Sequence, residues 1–208
     1  YRHMRAYTSG ILILLLGVTI PQTSYAIEND IKYASDLYLA YVSTPQSDVN
    51  SQAEQGLLAL SEILRRRTSV EPKGVISLDI EHDTLTFFPF IYWPITASTQ
   101  SLSDTALRKV QHYLDHGGLI LFDTRDQIST PKGYLGHSGG RNTQALRDMI
   151  GNLNISPLAP MPDDHVLTKS FYLLEGFPGR YEGGTIWVEE KSISGKEGVS
   201  SIIIGGHD

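Results

Sequence analysis

The sequence contains no cysteine. It can therefore form no disulfide, no zinc–thiolate centre and no thiol nucleophile. Long apolar runs are scarce too: the longest covers residues 11–20 and is broken by Gly17 and Thr19. Basic residues are the minority, 17 against 23 acidic ones, for a net charge of −6. A general binder of the phosphate backbone needs a basic face, so nucleic acid is not an expected partner. No His-Glu-x-x-His helix occurs, and no Gly-Lys-Ser/Thr follows the glycine-rich stretch at 133–140, which removes the zincin and P-loop readings. What is present is enough apolar material for a core: 40% of residues are hydrophobic and 19% are charged.

Arg2 and Arg5 stand before the apolar run; Pro21 and Ser24-Tyr25-Ala26 follow it. A basic start, a short apolar stretch and small residues at a cleavage site form a secretory signal. The same flanks fit a membrane helix inside a longer protein, although a comfortable span takes ~20 apolar residues. Residues 1–26 are thus expected to be a signal peptide or a membrane helix. With Arg2 and Arg5 held inside, either reading places residues 27–208 outside the cytoplasm. Residues 1–26 hold those two arginines and no acid, so 15 basic and 23 acidic residues remain, a charge of −8. That suits a soluble extracytoplasmic domain better than one lying flat on anionic lipid.

Alternation of strand and helix signals runs through residues 27–208, and no linker divides them. Strands are expected over 37–42, 75–78, 85–93, 119–122, 185–189 and 200–204. Pro89 argues for a bulge or a sheet edge within the third of these. A capping box at Ser51-Gln52-Ala53-Glu54 opens the first helix, with Leu57, Leu60 and Leu64 at helical spacing and Arg65-Arg66-Arg67 at its end. Ser103 caps the second, Leu107, Val110 and Leu114 form its buried stripe, and Gly117-Gly118 end it. A third helix is expected over 143–153, followed by a proline-rich connection over 155–162. The pattern predicts a single α/β domain with a largely parallel sheet and helices on both faces.

In open α/β sheets ligands sit outside the carboxyl ends of the strands. Asp123, Arg125 and Asp126 follow the 119–122 strand. Two carboxylates around an arginine can pin the loop as an ion-pair network, hold a polar ligand, or bind a metal with a histidine; the arginine disfavours the metal. Asp163-Asp164-His165 follows Pro162. Either Asp164 caps a helix, or the Asp164–His165 pair serves as a base or ligand. His137 and Arg141 flank a loop rich in glycine, readable as a plain surface loop or as an anion-binding lip. Phe87, Phe88, Phe90, Tyr92 and Trp93 read as core. Phe177, Arg180 and Tyr181, beside Pro178 and Gly179, read as an exposed docking surface. No cofactor is expected.

Several segments carry a resemblance. Leu102-Ser103-Asp104, the helix through Tyr113-Leu114 and Gly117-Gly118-Leu119-Ile120-Leu121-Phe122-Asp123 resemble glutamine-amidotransferase-like α/β domains. Four motifs are similar to a bacterial domain of unknown function found after a BatA-type region in membrane proteins. They are Phe88-Pro89-Phe90-Ile91-Tyr92-Trp93-Pro94, Phe122-Asp123-Thr124-Arg125-Asp126, Asp164 to Tyr172, and Phe177-Pro178-Gly179-Arg180. The resemblance spans about residues 36–208. It implies a flavodoxin-like, class I glutamine-amidotransferase-like fold and a bacterial inner-membrane protein with a periplasmic soluble domain. It also implies envelope partners linked to MoxR-type ATPases or von Willebrand factor A proteins. The family continues beyond Asp208, so the last element of the domain is expected to be missing here. Active amidotransferases carry their cysteine after a central strand; the matching place is Asp123-Thr124, so thiolate glutamine hydrolysis is excluded. The expected function is a non-catalytic interaction or ligand-sensing domain tethered through residues 11–20 or an upstream region. The alternative is a hydrolase of an envelope sugar or peptide using Asp123 or Asp164 with His165 or His137 as an acid–base pair.

Overall fold

Tyr38–Val42 (β1) buries all five of its side chains, as a strand covered on both faces must. Successive side chains go to opposite faces. Tyr38, Ala40 and Val42 join Ile91, Trp93, Ile120, Phe122 and Ile202 in the larger core. Leu39 and Tyr41 join Ala53 and Leu57 on the other side. The computed structural model describes residues 31–126, 140–162, 165, 167, 185–190 and 200–206.

Helix α1, Ser47–Arg67, buries Val49, Ala53, Leu57 and Ser61 at four-residue intervals. It starts one turn before the capping box expected at Ser51, which therefore lies inside the helix. Its N-cap, Gln46, makes no side-chain capping bond. Asn50 closes the turn instead: its Oδ1 accepts from Thr44 N (2.8 Å) and its Nδ2 donates to Thr44 O (2.8 Å). Asp48 adds a negative charge in the first turn. At the far end Glu62 pairs with Arg65 and Arg66, all solvent-facing.

Strand β2 is Gly74–Leu78 and β3 is Phe90–Pro94. The run expected from residue 85 becomes strand only at Phe90. β3 lies between β1 and a later strand, so Pro89, which has no N–H for the ladder, stands just before it and marks neither a bulge nor an edge. Leu85 and Phe88 still enter the core, each 1% exposed, from irregular backbone.

Helix α2, Asp104–Asp115, is capped by Ser103, whose Oγ accepts from Ala106 N and donates to Glu81 Oε2 (2.6 Å). It buries Ala106, Val110, Tyr113 and Leu114. Gly117 takes φ +90, the left-handed conformation that ends helices. The Tyr113 hydroxyl donates to Phe88 O (2.8 Å) and meets Leu119 N (3.2 Å). Burial pushes that phenol well above its usual range. Gly118 lies against the Tyr113 ring, and a Cβ there would overlap it.

Strand β4 is Leu119–Asp123, and Asp123 is its last residue. Helix α3 is Arg141–Ile150, two residues earlier at its start and three shorter at its end than expected. Leu158–Pro160 (β5) is a short strand where the sequence suggested only a connection. Trp187–Glu189 (β6) and Ile202–Gly205 (β7) complete a seven-stranded sheet of order β2-β1-β3-β4-β7-β6-β5. The first five are mutually parallel; β6 runs antiparallel to β7 and β5. The sheet is mixed and mostly parallel. Helices α2 and α3 cover one face and α1 the other. Among the described residues no helix is long and apolar enough to cross a membrane. The run at 11–20 lies outside them.

Two outcomes follow from this packing. Gly118→Ala must displace the buried Tyr113 ring, and overpacking of this kind costs about 1–3 kcal/mol; urea unfolding of the variant should show that loss, and an unchanged midpoint would refute the close approach. The Ser103 bonds lower the Glu81 carboxyl below its ordinary 4.5. A depressed carboxylate stabilises the fold above its unfolded pKa and ceases to as pH falls through the lower folded value. The stability gap between wild type and Glu81→Gln should therefore be widest at neutral pH and close in acid.

Candidate functional site

The five parallel strands end at one edge of the sheet. There β1 runs into Thr44 and Gln46, β3 into Thr96–Thr99, and β4 into Asp123–Asp126. The chain leaves β1 towards β2 on one side, while β3 is followed by β4 on the other. A crevice at such a reversal is where open α/β sheets take ligands. Gln46 bridges it, its Nε2 donating to Ser98 Oγ at 2.7 Å. Ser98 Oγ is also 3.0 Å from Thr96 Oγ1. The Oε1 of Gln46 is buried and meets no donor, an arrangement that costs about 1–3 kcal/mol where nothing compensates.

Asp123 is only 2% exposed. Its Oδ2 accepts from the Tyr92 hydroxyl at 2.6 Å and its Oδ1 from Arg125 N at 2.9 Å. The register explains the first contact. Tyr92 is paired with Leu121, so Asp123 lies two residues further along the same face, within diagonal reach of a long side chain. The second contact closes a tight turn that holds Arg125 at φ 55. Among the described residues Arg125 is the only non-glycine with positive φ; that conformation costs an ordinary residue roughly 1–2 kcal/mol. From it the guanidinium reaches α1, Nη2 donating to Gln52 Oε1 at 2.8 Å.

Asp126 turns towards the opposite face and caps α3 from outside the helix. Its Oδ2 accepts from Thr143 N (2.7 Å) and Thr143 Oγ1 (2.6 Å). The helix's own N-cap, Gly140, has no side chain to do this, and a Cβ on it would overlap the Asp126 carboxylate. Asn142 Nδ2 donates to Thr124 O at 2.7 Å and ties the loop to the same helix end.

Asp123, Arg125 and Asp126 thus share one loop and do three different jobs. His165 is elsewhere. It follows β5, the strand at the far border of the sheet, and is 2% exposed. Its Nδ1 accepts from Leu167 N at 3.3 Å, a local turn bond. Arg141 is exposed at the start of α3, on an open depression of about 560 Å³ bordered by Thr99, Gln100, Ser101, Gln144 and Asp148. His137, Asp164, Phe177, Arg180 and Tyr181 lie outside the described residues. Gly136-His137-Ser138-Gly139-Gly140 spells the Gly-x-Ser-x-Gly string of serine hydrolases; of it only Gly140 is among the described residues. Among the described residues no three histidine or acidic side chains gather as metal ligands.

Tyr92, Gln46, Ser98 and Gln52 are site residues that the sequence pattern did not single out. Tyr92 reads as core because it sits in an aromatic run. Its polar end becomes visible only once β3 and β4 are known to be neighbours. Gln46 and Ser98 are ordinary loop residues until the strand order brings β1 and β3 together.

Removing the Asp126 carboxylate leaves the amides of α3 without their acceptor. Asp126→Ala should lower unfolding stability by about 0.5–2 kcal/mol and speed amide exchange at Thr143. Wild-type protection in the variant would show that the helix start does not depend on it.

No curated protein matches the chain. A family model for a domain of unknown function, DUF4159, matches residues 38–208. That span begins with β1, runs past β7 and contains the whole carboxyl edge described above, and the chain belongs to this family.

Proposed function

We propose that the chain is a non-catalytic, extracytoplasmic ligand-sensing or interaction domain of a membrane-tethered bacterial envelope protein. The carrying observation is the state of the edge carboxylates. Asp123 is held as an acceptor by Tyr92 and the Arg125 amide, and Asp126 is held by α3. Both shape the loop. A general acid or base instead needs a partner within reach of substrate, and Asp123 is buried beneath Tyr92.

Three further features support the reading. The five parallel strands follow the order 2-1-3-4-5 when counted among themselves, which suits a flavodoxin-like or amidotransferase-like assignment. The place after the central strand that carries the thiol in amidotransferases is here Asp123-Thr124, and the sequence has no cysteine. The crevice offers a buried acceptor without a donor, Gln46 Oε1, suited to a ligand with N–H or O–H groups. The location rests on Arg2, Arg5 and the apolar run after them. Envelope partners of the MoxR-linked or von Willebrand factor A type belong to the same proposal.

Fusion of a reporter after Asp208 tests the location. Alkaline phosphatase should be active there and green fluorescent protein dark; the reverse pair would overturn the extracytoplasmic placement. Assays on peptidoglycan peptides and glycosides test the rest. No turnover is expected, and hydrolysis abolished by Asp123→Asn with the fold intact would establish the hydrolase instead.

A further inference from the structure

Helix α2 ends with His112 and His116, both exposed. Four residues apart, they share one face of the helix. Their rings are 3.9 Å apart between centroids, tilted by 40°. Nδ1 of His116 lies 2.7 Å from the carbonyl oxygen of His112. A carbonyl only accepts, so this Nδ1 carries the proton and donates, and Nε2 keeps its lone pair. Histidines that bind metals are commonly held this way, one ring nitrogen on a carbonyl and the other on the ion.

The surroundings suit a cation. The guanidinium of Arg108, one turn earlier on the same face, is turned back to Thr105 Oγ1 at 3.1 Å. Asp115 adds a negative charge nearby, its Oδ1 accepting from Gln111 Nε2 at 2.9 Å. The last turn of a helix also presents its negative end.

We propose that His112 and His116 form a two-histidine site for a divalent first-row transition ion, Cu²⁺, Ni²⁺ or Zn²⁺. Imidazole is a ligand for all three, with Cu²⁺ bound most tightly. Water fills the remaining positions, since among the described residues no third histidine or acid completes a cluster. The pair sits just before β4 begins, at the end of the sheet away from Asp123, so its occupancy is independent of what the carboxyl edge does.

The test uses the full chain, titrated calorimetrically with each ion at neutral pH. One ion should bind per chain. His112→Ala and His116→Ala should each weaken binding about ten-fold or more, and to the same extent, because either removes one arm of the chelate. His82→Ala, an exposed histidine in another loop, should change nothing. Paramagnetic resonance of the Cu²⁺ form should report two imidazole nitrogens, reduced to one in either variant. Wild-type affinity in both variants, loss in one alone, or no binding by the wild type overturns the site.

Discussion

A carboxylate at the end of a buried strand must find donors or leave the core. That single constraint organises the carboxyl edge of this fold. β4 is apolar up to Phe122 and then places Asp123 at 2% exposure. Tyr92 on the neighbouring strand supplies a donor, and so does the chain's own turn at Arg125. The turn then decides where the guanidinium goes, and it goes across to α1. Contacts with the neighbouring strand, the loop and α1 thus meet around one buried carboxylate. Backbone bonds reinforce it: Ile95 N donates to Asp123 O and Thr124 N to Gly205 O, tying β3, β4 and β7 together just past the carboxylate.

The opposite end of β4 is held by different chemistry. Tyr113 crosses from the last turn of α2 to the starts of β3 and β4, and Gly118 leaves room for its ring. Its hydroxyl is buried and hydrogen-bonded, so it serves as a polar clamp inside an apolar environment. One end of the strand is therefore fixed by packing around a phenol. The other is fixed by hydrogen bonds around a carboxylate, next to loops rich in hydroxyls and amides. Among the described residues, Gln46, Thr96 and Ser98 gather their polar side chains at that second end.

Much of this was legible in the residues. The alternation of elements, the Ser103 cap, the Gly117 stop and the all-apolar β4 follow from local rules, because each depends on neighbours a few positions away. Where local rules compete, legibility ends. The capping box at Ser51 lost to a turn closed by Asn50 and Thr44 one turn earlier. β5 was hidden because three residues, one of them Pro160, carry no periodicity, and only pairing with β6 makes them a strand. Asp123, Arg125 and Asp126 were found as a group. Their division of labour was not, because Tyr92, Gln52 and Thr143 lie 31, 73 and 17 positions from their partners.

Arg125 sets a backbone cost against a side-chain contact. Glycine or asparagine would take its left-handed conformation at lower cost. The Asp123 turn needs only the backbone N–H of that position, which any residue but proline supplies. What arginine adds there is the guanidinium, which spans from the β4 loop to α1 through its bond to Gln52 and carries further donors. Such a backbone conformation persists only where surrounding contacts hold it. Here the strained residue, the buried carboxylate beneath it and the donorless oxygen of Gln46 all stand on the same edge of one sheet. Their grouping is the observation on which the proposed recognition role rests.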